Sequence, residues 1–188
     1  VGEEYAKEMN GDSRLRMDEE VWTLKSSTTV VSHGPIKAGF GDIVPVGESR
    51  TKTCSWSVSS GTNIKGYTLG ASVSGSKSIT QSGPSSSDKL ADGKKATHRA
   101  FFSVGYGRLV KYTYEVTQKY SGNFVRTETR YMYSDVSTVS CSQLIMLNGS
   151  TVYVEDVTGN KVKSAGTLSN YKSKFSAIDG TCLAYYKW

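Results

Sequence analysis

His33 and His98 are the only imidazoles in a chain of 188 residues. A hydrolase of the Ser-His-acid kind would need one of them as its base. The chain also carries 28 Ser and 18 Thr, so a hydroxyl can be drawn beside either histidine and the pairing selects nothing. No G-x-S-x-G turn is present. His33 precedes Gly-Pro, and His98 opens a long apolar alternation; both read as surface residues rather than bases. Paired carboxylates would point to glycoside hydrolysis. Glu155 and Asp156 are adjacent on an expected strand and therefore point to opposite faces. Asp42 and Asp179 stand alone. The calcium pattern D-x-D-x-D-G is missing, and Gly39-Phe40-Gly41 lacks the rest of a phosphate loop. None of Cys54, Cys141 and Cys182 sits in a C-x-x-C spacing. That gives a zinc or redox site no support, and leaves open one disulfide with a spare thiol or three buried thiols. The expectation is no catalytic residue, no metal and no cofactor, with enzyme activity, a hydrolase built on His98, as the outlying reading.

The aromatic residues are more informative. Tyr112 and Tyr114 share one alternating row, and Tyr131 and Tyr133 share the row of the next segment. Facing a core they would be packing; exposed on a concave sheet they would stack on sugar rings or sit at a lipid interface. Packing is the weightier expectation, and the four are the candidate ligand-binding residues. Lys111, Arg126 and Arg130 fall on the opposite rows and are expected to face solvent. Single-stranded nucleic acid wants bases and aromatics interleaved, and here they segregate.

These residues must be held by strands. Residues 2–9 suit a short helix, with Glu3 and Lys7 one turn apart, broken at Asn10-Gly11-Asp12. From there the period is two. Residues 20–32 place Trp22, Leu24 and Val30 on one side, and residues 48–60 carry Cys54, Trp56 and Val58 in register. A turn is expected at Gly61-Thr62-Asn63, and a polar loop from Gln81 to Lys95. Residues 101–117 give the strongest signal: Phe102, Val104, Tyr106, Val110, Tyr112, Tyr114 and Val116 all fall on one row. A turn at 119–123 leads into 124–134, which predicts a long antiparallel hairpin. Asn148-Gly149 predicts a second hairpin on a type I′ turn. TCLAYYKW reads as a last strand. No long helical period appears. The fold class is therefore all-β: a single-domain antiparallel β-sandwich or curled sheet with long hairpins and a short N-terminal helix. Residues 1–19 are an acidic arm or helix, and residues 20–188 one all-β domain.

Charge divides along the chain. The first 20 residues carry a net −4 and the remainder +10, giving +6 in all. A basic body attracts nucleic acid, anionic lipid or acidic cell-wall polymers. The bases are spread singly apart from Lys94-Lys95, which favours a solvated surface. Hydroxyl-rich short strands and a chain that begins at Val1 suggest a secreted or cell-surface bacterial protein. The leading functional reading is a non-enzymatic binding or interaction module for a glycan, cell-wall polymer or protein. The alternative is a membrane-active β-toxin or bacteriocin-like protein. It rests on YTLGASVSGSKSIT, residues 67–80, where Tyr67, Leu69, Val73 and Ile79 share a row opposite hydroxyls and glycines. Membrane strands alternate in this way over about 9–11 residues. Lys77 interrupts the apolar row, and the strip reads equally as a Ser-rich strand at a sheet edge.

Overall fold

The fold is described from a computed structural model, covering residues 1–11, 19–156, 159–177 and 184–186. Among the described residues it is all-β with two helices. In order these are α1 (Gly2–Gly11), β1 (Glu20–Pro45), β2 (Ser49–Val58), β3 (Asn63–Ile64), β4 (Tyr67–Thr68), β5 (Val73–Ser82), β6 (His98–Gln118), β7 (Phe124–Asn148), β8 (Thr151–Glu155), β9 (Val162–Thr167), α2 (Leu168–Lys174), β10 (Phe175–Ala177) and β11 (Ala184–Tyr186). One sheet has the order β1-β6-β7-β8-β9, and β2-β5, β3-β4 and β10-β11 form separate two-stranded pairs. The chain forms two compact units: residues 1–33, 58–73 and 107–136, and residues 34–57, 74–106 and 137–188. The strands β1, β6 and β7 each contribute one part to either unit.

In the first unit, α1 covers the row predicted from the alternation. Ala6 and Met9 pack on Trp22, Val110, Tyr112, Tyr114, Val116 and Met132. The helix is pinned at both ends. The Tyr114 hydroxyl donates to the Gly2 carbonyl (2.9 Å). Asn10 makes a two-way clasp with the Trp22 backbone: Trp22 N–H donates to Asn10 Oδ1 (2.7 Å), and Asn10 Nδ2 donates to the Trp22 carbonyl (3.0 Å). The expected helix breaker thus docks the helix. The β6–β7 connection closes between Gln118 and Asn123, where Gln118 N–H donates to the Asn123 carbonyl (2.9 Å).

In the second unit β6 is buried on both faces, so Ala100 to Gly105 run without an exposed position. Ala100 joins Ile145, Val152, Val154, Ala165 and Tyr171, while Phe102 and Val104 join Cys141. Phe101 points the other way, to Val44, Cys54 and Ile79. Tyr171 of α2 covers one face of the sheet here and Cys54 and Ile79 of β2 and β5 cover the other, which answers a strand apolar on both sides.

Three local expectations change. The β7–β8 register pairs Asn148 with Thr151, so Gly149-Ser150 form the turn centre. Only Gly149 has positive φ (+63°), which fits a type II′ turn rather than type I′. The type I′ turn lies elsewhere, at Lys65-Gly66 (φ 50° and 91°), joining β3 to β4. Residues 67–80 are not one strand: β4 ends at Thr68, and β5 starts at Val73. Finally, 83–97 is held rather than loose, since Leu90 and Ala96 are buried and Ala96 N–H donates to the Asp88 carbonyl (2.9 Å). Asp179 and Cys182 lie outside the described residues.

Candidate functional site

The tyrosine platform does not form. Tyr114 is fully buried and Tyr112 nearly so, both beneath α1. Their row is apolar because it is the seat of the helix. Burial pushes the Tyr114 hydroxyl far above its ordinary pKa. Tyr133 is also buried, with its pKa raised by the same cause. Tyr131 is half-buried and stacks on Tyr67 (ring centroids 4.9 Å apart). Lys111 is exposed as expected, but Arg126 and Arg130 are not free cations. Arg126 bonds Glu20 (2.8 Å) and Glu128 (2.6 Å), and Arg130 bonds Glu128 (3.0 Å) and lies over the Trp22 ring (5.2 Å). The Arg126 hydrogen bond holds the Glu128 carboxyl below its usual range, against an opposing push from burial. This charged layer braces the α1 face.

The polar candidates do not assemble either. His98 accepts or donates at Nδ1 with the neighbouring Thr97 hydroxyl (2.8 Å). Burial first, then the charge of Arg50, lowers its pKa. Asp42 is occupied by the Ile43 amide, Arg50 and Lys52. Asp156 Oδ1 accepts from the Asn160 amide (3.2 Å) and shapes the turn before β9. Among the described residues no group of three or more His, Cys, Asp or Glu side chains could hold a metal ion. Cys54 and Cys141 are both buried, and burial raises the Cys54 pKa.

The feature that does assemble is the ribbon β2/β5. On β2, Cys54, Trp56 and Val58 are buried while Ser49, Thr51, Thr53, Ser55 and Ser57 are exposed. On β5, Ser74, Ser76, Ser78, Thr80 and Ser82 are exposed, and Ile79 is buried. Thr51 Oγ1 and Thr80 Oγ1 meet at 2.7 Å, so the two rows lie on one face. Ten hydroxyls therefore line a single face, five from each strand, with no charge among them.

The opposite face sits on the second unit's sheet through glycines. A Cβ at Gly105 or Gly75 would run into the Trp56 ring, and one at Gly41 would meet Cys54 Sγ and Phe101. A Cβ at Gly39 would strike the Ser55 carbonyl. The glycines make a flat seat into which the indole lies. Among the described residues Trp56 Nε1 is buried and has no hydrogen-bond partner. Leaving a buried donor unmade costs about 1–3 kcal/mol. Trp56 also edges an open groove of about 530 Å³ with Lys37, Ser55, Ser57, Ser74, Gly75 and Ser76.

Sequence alternation reveals the two rows of the ribbon separately, but not that they coincide on one face. Nor does it show that Gly39, Gly41 and Gly105 serve the ribbon. No known protein family matches the chain, and neither a characterised protein nor a solved structure is detectably similar to it.

Proposed function

We propose that this is a secreted, membrane-active β protein whose working element is the β2/β5 ribbon. The observation that carries the reading is the uncharged ten-hydroxyl face, backed by a row that runs Arg50, Lys52, Cys54, Trp56 and Val58 on β2 and Val73, Gly75, Lys77, Ile79 and Gln81 on β5, apolar towards the Val58/Val73 end and charged towards the other. A strand that faces lipid on one side and water on the other needs this division at period two. No described helix is long and apolar enough to cross a membrane. The basic balance of +6 favours anionic lipid as the first contact.

The test is release of a trapped dye from vesicles of phosphatidylcholine with and without phosphatidylglycerol. Release at micromolar protein, faster on the anionic vesicles, is expected; no release between pH 5 and pH 7.5 overturns the reading. A second reading has its own observation. The groove beside Trp56, lined by hydroxyls and Lys37, has the polarity of a glycan or cell-wall polymer site. In that case the protein is a binding module, and retention on a polysaccharide column, abolished by Trp56→Ala in a folded variant, replaces dye release.

A further inference from the structure

Contacts within the ribbon β2/β5 and within the small hairpin β3/β4 fall at matched counts along the chain from the turn Lys65-Gly66. Ile64 pairs with Tyr67 across the turn Lys65-Gly66. Farther out, Leu69 N–H donates to the Thr62 carbonyl (2.9 Å), and each residue stands three from that turn. Thr51 and Thr80 touch, and each stands fourteen from it. The same count places Trp56 opposite Gly75, whose position the indole covers. Two interruptions separate the inner pair from the outer. Residues 59–62 turn on themselves, with Thr62 N–H donating to the Ser59 carbonyl (3.3 Å) and Gly61 N–H to the Leu69 carbonyl (2.7 Å), so that Gly61 and Thr62 both face Leu69 in a bulge. On the other strand, Leu69 bridges to Tyr131, and Gly70 N–H donates to the Tyr131 carbonyl (2.8 Å).

From this we infer that residues 49–82 are a single hairpin held in a broken form, which zips into one continuous ladder around Lys65-Gly66 when it enters a bilayer. The inference rests on the membrane-active reading above and names the segment that crosses. The inner and outer contacts stand at equal counts from the turn on both strands, so once the Leu69 carbonyl passes from the Gly61 amide to the Thr62 amide the bulge closes without shifting an outer side chain to the wrong face. The charge pattern fits a span. Twelve uncharged residues lie between Lys52 and Lys65, and eleven between Lys65 and Lys77. In the continuous register Lys77 stands opposite Cys54, at the base of the hairpin beside Lys52, and Lys65 is at the tip. The cation that disrupts the apolar row of β5 thus falls at the headgroup level rather than mid-span. The row that meets lipid runs Cys54, Trp56, Val58 and Ile64 on one strand and Tyr67, Leu69, Ala71 and Val73 on the other, with Ser60 and Thr62 as its polar members. Trp56 lies near the base and Tyr67 near the tip, where aromatics sit in membrane strands. A lone hairpin leaves two unpaired edges in lipid, so hairpins from several copies must close on one another.

The test uses single-cysteine variants at Val58, Ile64 and Val73 for the lipid row and at Ser57 and Ser74 for the opposite row. Each is made with Cys54, Cys141 and Cys182 changed to Ala, labelled with an environment-sensitive dye and mixed with phosphatidylglycerol vesicles. A blue shift at the first three and continued access to aqueous quencher at the last two is expected. Hydrogen exchange on the unmodified protein covers the case in which these variants fold poorly. There the amides of Ser60 and Ala71, which pair across the hairpin in the continuous ladder, should become at least tenfold slower to exchange on vesicles. Dye release with no period-two labelling and no gain in protection overturns this inference but leaves the membrane reading standing. Absence of both release and vesicle binding overturns the two together.

Discussion

At Trp56 a single side chain links packing to release. Its ring is admitted by Gly75 and Gly105, and its N–H has no partner among the described residues. Overpacking this seat should loosen the ribbon. Gly105→Val drives a branched side chain into the indole and is expected to cost about 1–3 kcal/mol, read from the denaturant midpoint. Cys54 reports the consequence locally, because it lies under the ribbon with a thiol that burial keeps protonated. Maleimide should label Cys54 several-fold faster in Gly105→Val, with Cys141 unchanged. Equal rates at both thiols would show that the whole unit opens rather than the ribbon alone. Period two marked Trp56 as inward-facing, but the glycine seat was not legible. A glycine in a strand signals close approach without saying what approaches.

The elements divide in the same way. The apolar row of β6 was plain in the sequence, and its burial follows from it. What covers the row was not, because a short acidic helix carries too little periodicity to announce its partner. Tyr112 and Tyr114 were expected to pack rather than bind, but that they pack beneath α1 could not be read. Tyr114→Phe tests the pinning of α1: losing the hydroxyl that serves the Gly2 carbonyl should cost about 1 kcal/mol, with a small loss of helical signal. The charged layer beside it makes a pH prediction. Arg126 holds the Glu128 carboxyl below its ordinary value near 4.5. A carboxyl depressed in the folded state stabilises above the unfolded value, and that contribution is lost as pH falls through the lower folded value. Urea midpoints of the unmodified protein and Glu128→Gln should therefore differ by a constant amount above about pH 5.5 and converge below pH 4.5. A gap that persists at pH 3 would mean that Glu128 acts through shape and not charge. The turn at Gly149 completes this scale. Gly149→Ala should destabilise by about 1 kcal/mol, because φ is +63° there. Asn148-Gly149 correctly marked a tight hairpin, but the register that decides the turn type depends on which strand rows face the core.

For the molecule as a whole, composition foretold the class well. Hydroxyl and aromatic richness, sparse proline and the dominant period of two led to an all-β fold of antiparallel sheets. The division into two compact units sharing β1, β6 and β7 was hidden, since a strand carries no mark in its sequence where it passes from one unit's core to another's. Net charge acts at this scale too. If a basic surface brings the protein to anionic vesicles, raising salt from 0.05 to 0.5 M should slow dye release roughly tenfold or more while leaving the denaturant midpoint nearly fixed, as screening weakens long-range attraction far more than packing. Salt-independent release would place the first contact on apolar residues instead.

The turn Lys65-Gly66 carries one further consequence. Several hairpins closed into a ring would bring one ammonium per copy to the far mouth, while the hydroxyl lining stays neutral. Ions crossing such a ring meet a purely positive constriction at one end. Current through a planar bilayer should then favour chloride over potassium, with a reversal potential of the corresponding sign in a KCl gradient. Lys65→Glu should invert that sign without changing the size of the single-channel step by more than about twofold.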